Sequence, residues 1–147
     1  MIHCLIPADA GIIQPMIELA RCSKRQRIIV AGSKSGELRL ELPRRGFVRV
    51  ATTASCGLPA GQYDVTLVDW RQRSVKALET TLDWLMDFLS PVGVLVVWVD
   101  KQEPAGNRKL RAAIEKHGLV IEAGIVHEYG SAIAAQRRET KPTVKVA

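Results

Sequence analysis

The sequence predicts an α/β fold, a mostly parallel sheet with helices on both faces and an antiparallel C-terminal hairpin. Three observations carry this. The run at 28–31 is short, continuous and apolar, and those at 63–68 and 94–99 are similar and strongly β-branched, as in strands covered on both faces. Between the second and third of them, Val75, Leu78, Leu82, Leu85, Met86 and Leu89 recur at helical spacing along one stripe. A strand, a helix and a strand in that order make a crossover, and a crossover implies parallel pairing. The runs at 119–126 and 131–136 are separated only by 127–130, which is short enough to demand an antiparallel hairpin.

The elements follow in chain order. Ile12, Ile13, Met16, Ile17, Leu19 and Ala20 predict a helix over 12–21, with Pro15 in the first turn, where its missing N–H is tolerated. The strand at 28–31 enters a glycine-bearing loop, 32–36. Two patterns then compete over 37–42. Leu38, Leu40 and Leu42 alternate with Glu37, Arg39 and Glu41, a period of two that would lead through PRRG into a strand at 47–53 as a hairpin. The same residues are good helix formers, with Leu38 and Leu42 one turn apart, Glu37 suited to a positive N-terminus and Pro43 ending the run. The helix is the favoured reading; under the hairpin reading the glycine loop would precede no helix and its anion-binding case would fall.

Further along, Ser74 is the expected N-cap of the crossover helix and Pro91 closes its far side. Pro104 starts another helix, in which Leu110, Ala113, Ile114 and His117 share a face and Gly118 fits the stop. Residues 1–138 are expected to form a single domain, with 1–26 as an N-terminal strand and helix extension, and the polar, basic 139–147 to fray.

Composition narrows the class. A chain of 147 residues, 47% of them hydrophobic, can bury its own core. No window holds the ~18 consecutive apolar residues of a membrane span, and the first residues lack the basic and apolar regions of a secretory signal. Cys4, Cys22 and Cys56 are odd in number and unpaired in spacing, which suits reduced thiols in a cytoplasm better than a disulfide frame or zinc site. Positive charge is concentrated early: residues 1–60 hold nine Lys/Arg against four acids, 61–147 twelve against eleven. Lys24, Arg25 and Arg27, with Arg44, Arg45 and Arg49, can attract anions, although no aromatic residues interleave with them as single-strand nucleic-acid stacking would require. A solvated basic surface is the favoured reading.

With the order of elements in place, the sequence resembles the class I S-adenosylmethionine-dependent methyltransferase superfamily, a Rossmann-like α/β group. Residues 28–36 look like its first strand and glycine loop, GQYDVTLVD at 61–69 like its fourth strand, LSPVGVLVV at 89–97 like the proline-glycine entry to its fifth, and the hairpin like its sixth and seventh. The resemblance covers about residues 28–138 and implies a cofactor-binding edge formed by Gly32, Ser33, Lys34, Ser35 and Gly36. It also implies a substrate or catalytic role for Asp69.

The departures are as informative. Val30 stands where the family has an acid, and Lys34 where it has the middle glycine. That lysine would fill cofactor space or turn to solvent, the latter being favoured, although Ser33, Lys34 and Ser35 also suit a phosphate or sulfate at a helix N-terminus. The strand at 47–53 ends in Ala51, Thr52 and Thr53, with no carboxylate for a ribose, and only 54–62 separate it from the next strand. One βα unit is therefore expected to be missing, and 47–53 can stand for either the second or the third family strand.

Other chemistry is sparse. Asp69 and Asp100 end their strands, where a cap or ion pair is the simpler role, and Trp70, Trp84 and Trp98 read as packing residues. His3, His117 and His127 have no metal-ligand spacing, and His127, Glu128 and Tyr129 suit a solvated turn. The favoured function is a methyltransferase-like, non-catalytic binding or assembly module with a degenerate S-adenosylmethionine site. The alternative is an active enzyme with an atypical pocket. The trimmed sheet and the apolar 1–19 leave surface for a homodimer. A small-molecule or protein partner stays open, nucleic acid is weakly supported, and no membrane is implied.

Overall fold

The computed structural model describes residues 8–33, 35–53, 61–100, 104–127 and 130–137. In chain order these form α1 (Ala8–Ala20), β1 (Ile28–Gly32), α2 (Ser35–Arg44), β2 (Val50–Thr52), β3 (Tyr63–Asp69), α3 (Val75–Leu85), β4 (Leu89–Val99), α4 (Pro104–Glu115), β5 (Leu119–His127) and β6 (Gly130–Arg137). The six strands make one sheet in the order β2-β1-β3-β4-β6-β5. Pairing is parallel from β2 through β4 and antiparallel where β6 joins β4 and β5. The expected architecture is therefore the observed one, helices on both faces included. Ile13, Met16 and Ile17 of α1 and Leu38 and Leu42 of α2 pack on Ile28, Val30, Val65 and Val96. On the opposite face, Leu78 and Leu82 of α3 and Leu110 and Ile114 of α4 cover Val68, Leu95 and Val97.

The contest over 37–42 is settled by burial. Leu38 and Leu42 are buried one helical turn apart while Leu40 is 63% exposed, so the apolar period that folds is that of the helix. The chain then turns sharply, with the Phe47 N–H donating to the Leu42 carbonyl at 3.0 Å, and Phe47 is buried against α2 instead of entering the sheet. The strand expected over 47–53 is thus only Val50–Thr52. It lies beside β1 on the side away from β3. In a doubly wound sheet of order 3-2-1-4-5-6 that is the place of the second strand. The unit without a counterpart among the described residues is the third.

Three boundaries differ from expectation for identifiable reasons. α1 starts at Ala8, so Pro15 lies inside it and the carbonyl four residues earlier lacks its helical donor. Burial of the Ile13, Met16, Ile17 and Ala20 face carries the helix through that defect. Its end is a Schellman turn, with Arg21 at φ 54 and the Cys22 N–H donating to the Ile17 carbonyl at 3.2 Å. Leu89 belongs to β4, not to α3. A 3-10 turn, Met86–Phe88, ends the helical stripe, and Leu89 pairs with Tyr63 ahead of a register shift that accommodates Pro91 and Gly93. His117 lies just beyond α4, where its ring bridges the Ala113 carbonyl and the Asp83 carboxylate of α3, both at 2.8 Å. Ser74 caps α3 as expected, its hydroxyl accepting from the Ala77 N–H at 3.1 Å.

Gly32 and Asp69 are register partners at the carboxyl ends of β1 and β3. At φ +104, Gly32 carries its Hα atoms where a Cβ would stand 2.0 Å from the Asp69 carbonyl oxygen. This glycine is fixed by the sheet itself, whatever binds nearby. Gly36, on the first turn of α2, has open space around it. Among the described residues no helix is long and apolar enough to cross a membrane.

Two outcomes follow. Gly32→Ala should destabilise by about 3–5 kcal/mol through overlap and positive φ together, whereas Gly36→Ala should be neutral or stabilising by up to ~1 kcal/mol, both read from urea midpoints. Burial pushes the Cys22 thiol up to about 12. At pH 8 only about one molecule in 10⁴ would then carry the reactive thiolate, so brief iodoacetamide treatment of native protein should leave the Cys22 peptide unmodified and denaturant should expose it.

Candidate functional site

The candidate residues that lie within the described chain gather at one place, the carboxyl edge of the parallel strands. β1 delivers Gly32 and Ser33, the start of α2 delivers Ser35 and Gly36, β3 delivers Asp69, and the residue after β4 is Asp100. Lys34 lies outside the described residues, as do Cys4, Cys56, Glu128 and Tyr129. Parallel strands all end on the same side of the sheet, which is why residues far apart in sequence converge here.

Asp69 is the most constrained of them. Its side chain is 1% exposed and both oxygens meet Arg71, with Nε to Oδ1 at 2.8 Å and an Nη to Oδ2 at 2.5 Å. The Arg71 N–H also approaches Oδ1, at 3.3 Å. Such a two-pronged pair satisfies a buried carboxylate by geometry as well as charge. The loop then folds back over the glycine turn. The Ser33 N–H donates to the Asp69 carbonyl at 2.6 Å, and the Ser33 hydroxyl donates to the Arg71 carbonyl at 2.6 Å and accepts from Arg73 Nε at 3.0 Å.

The rest of the loop is knitted to its surroundings. Gln72 takes φ 64, and its N–H donates to an Asp100 carboxylate oxygen at 2.5 Å. The Trp70 indole donates to the Ser74 carbonyl at 2.7 Å, and the Arg73 guanidinium stacks 5.1 Å from the centre of the Trp70 ring. Trp70 and Trp98 are buried and Trp84 is 44% exposed, so two of the three tryptophans are enclosed packing residues. Arg71, Gln72 and Arg73 were not singled out from sequence. A signal was present, since a strand ending in an acid and followed at once by RQR carries its own counter-ions.

The charges at this edge are mixed: Arg71 is taken up by Asp69, Arg73 binds Ser33, Asp100 accepts from the Gln72 N–H, and Glu37 lies in the first turn of α2. β2 contributes Val50, Ala51 and Thr52, and none is an acid that could accept from ribose hydroxyls. Asp69 and Asp100 are both engaged by the loop 69–74, and Glu37, at the start of α2, is a third carboxylate of the edge.

No family model matches the sequence, and no curated protein does. Solved structures do match in fold. The cyclase SpnF is 12% identical, with 87% of this chain and 80% of that chain covered at a TM-score of 0.66. An S-adenosylmethionine-dependent methyltransferase from Aquifex aeolicus is 11% identical, with 84% and 87% covered at 0.64. A Burkholderia thailandensis 1,6-didemethyltoxoflavin-N1-methyltransferase, solved with S-adenosylhomocysteine, is 13% identical, with 89% and 80% covered at 0.61. At such identities the likeness is one of architecture, and the architecture of this chain is the class I S-adenosylmethionine-dependent methyltransferase fold.

Proposed function

We propose that this chain is a methyltransferase-like module with a degenerate S-adenosylmethionine site, acting as a non-catalytic binding or assembly protein. The observation that carries the reading is the closure of the glycine turn by the chain's own loop, through the Ser33, Asp69, Arg71 and Arg73 contacts. S-adenosylmethionine brings a positive sulfonium and two ribose hydroxyl donors, which call for acceptors and negative potential. Here the buried Asp69 is neutralised by Arg71, Arg73 lies on the glycine turn at Ser33, and β2, ending in Thr52, supplies no carboxylate for the hydroxyls. Asp69 then serves as the counter-ion that holds Arg71, not as a catalytic group. The partner of such a module is a protein, a second copy in a homodimer, or a small molecule of different charge, and the free, partly buried Cys22 thiol suits a reducing cytoplasm.

The test is cofactor titration of the full chain by thermal shift. Millimolar S-adenosylmethionine or S-adenosylhomocysteine should leave Tm unchanged, whereas a rise of several degrees would instead support an active methyltransferase with an atypical pocket. The role given to Asp69 has its own check. Arg71→Ala should cost about 3–5 kcal/mol by stranding a buried carboxylate, and Asp69→Leu with Arg71→Leu should recover much of that loss. An Arg71→Ala variant as stable as wild type would remove the ion pair from the argument.

A further inference from the structure

The opposite end of the sheet holds a second feature. Two basic clusters separate in sequence, Lys24, Arg25 and Arg27 before β1 and Arg44, Arg45 and Arg49 before β2, become neighbours because β1 and β2 run parallel with Ile28 beside Val50. The Ile28 N–H donates to the Arg49 carbonyl at 2.8 Å. The Lys24 side chain lies across Gly46, its Cδ, Cε and Nζ 3.0–3.1 Å from where a Cβ would stand. Arg27 and Arg49 share the wall of an open depression of about 320 Å³ with Val48, Val50, Ala51 and Tyr63.

Cations outnumber acids at this end, where Glu18, reached from Arg45 through Gln14, and Asp87, beside Gly61, also lie. Glu41 pairs with Arg45 at 3.2 Å and Arg44 at 3.8 Å, and Asp64 accepts the Arg27 backbone N–H at 2.9 Å. Lys24, Arg25 and Arg49 are exposed and have no acidic partner among the described residues. Five of the six cations are arginines, whose forks match phosphate oxygens two at a time.

We propose that this amino-terminal edge of the sheet binds nucleic acid through its backbone phosphates. Three features favour that occupant. β2 has three residues, too short an edge to add a peptide strand with more than a few main-chain bonds. Val48, 72% exposed, is the large apolar side chain protruding beside the depression, too little to anchor in a lipid surface. Tyr63, the aromatic residue of the depression, is buried, so recognition rests on backbone charge and not on stacked bases. The site lies across the sheet from Gly32 and Asp69 and does not depend on whether that edge takes a cofactor.

The experiment is fluorescence anisotropy of short mixed-sequence oligonucleotides, RNA and DNA, with the full chain between about 50 and 200 mM salt. Wild type should bind both, with affinity falling steeply as salt rises. A variant carrying Arg25→Ala, Arg44→Ala and Arg49→Ala should bind roughly tenfold or more weakly, with a salt slope shallower by about 0.7 for each phosphate that is no longer neutralised. A control carrying Lys76→Ala, Arg108→Ala and Lys109→Ala removes equal charge from exposed helix positions and should bind nearly as wild type does. Equal weakening in the two variants, absent or salt-insensitive binding, or tighter binding to poly-aspartate or phosphatidylserine vesicles than to the oligonucleotides would overturn the assignment. Circular dichroism establishes that both variants are folded before binding is compared.

Discussion

The close approach of β1 to β3 sets the geometry of the candidate site. Because Gly32 has no Cβ, the end of β1 can lie against the Asp69 carbonyl, which also receives the Ser33 N–H. That contact fixes where β3 ends and which way the chain leaves it. Asp69 is left inward-facing at the last strand position, and its burial must be balanced by a cation from nearby. Arg71 supplies it from two residues on, and once Arg71 is held there the loop can only fold back over the glycine turn. The contacts of that loop with Ser33 thus follow from sheet packing and charge compensation acting together.

Much of this was legible in the residues. Continuous apolar strands, a capped crossover helix and a two-strand finish gave the sheet its order, and Leu38 with Leu42 outweighed the alternating pattern that Leu40 suggested. Boundaries were less legible where tertiary contacts override local pattern. Leu89 fits the helical stripe of α3 equally well as a strand residue, and only its pairing with Tyr63 decides between them. Phe47 looks like a strand residue, yet the turn bonded to Leu42 sends it into the core beneath α2.

The site was half visible for a related reason. Gly32, Ser33 and Asp69 were identifiable because the ends of parallel strands are where such folds place ligands. The arginines that engage them were not, since a surface-type RQR run has no periodicity and acquires meaning only when the buried acid before it is known to need a partner. The two basic clusters were noticed as composition, but their union depended on β1 and β2 being adjacent, a fact of topology that neither cluster encodes alone.

The docking of α1 has a temporal implication. Its buried face rests on β4 and β6 as well as on α2, so the earliest helix of the described chain is completed by its final strand. During synthesis Ile13, Met16 and Ile17 must wait, exposed, until more than a hundred further residues have left the ribosome. Such a long-range closure makes folding slow and gives chaperones an interval in which to hold the nascent helix.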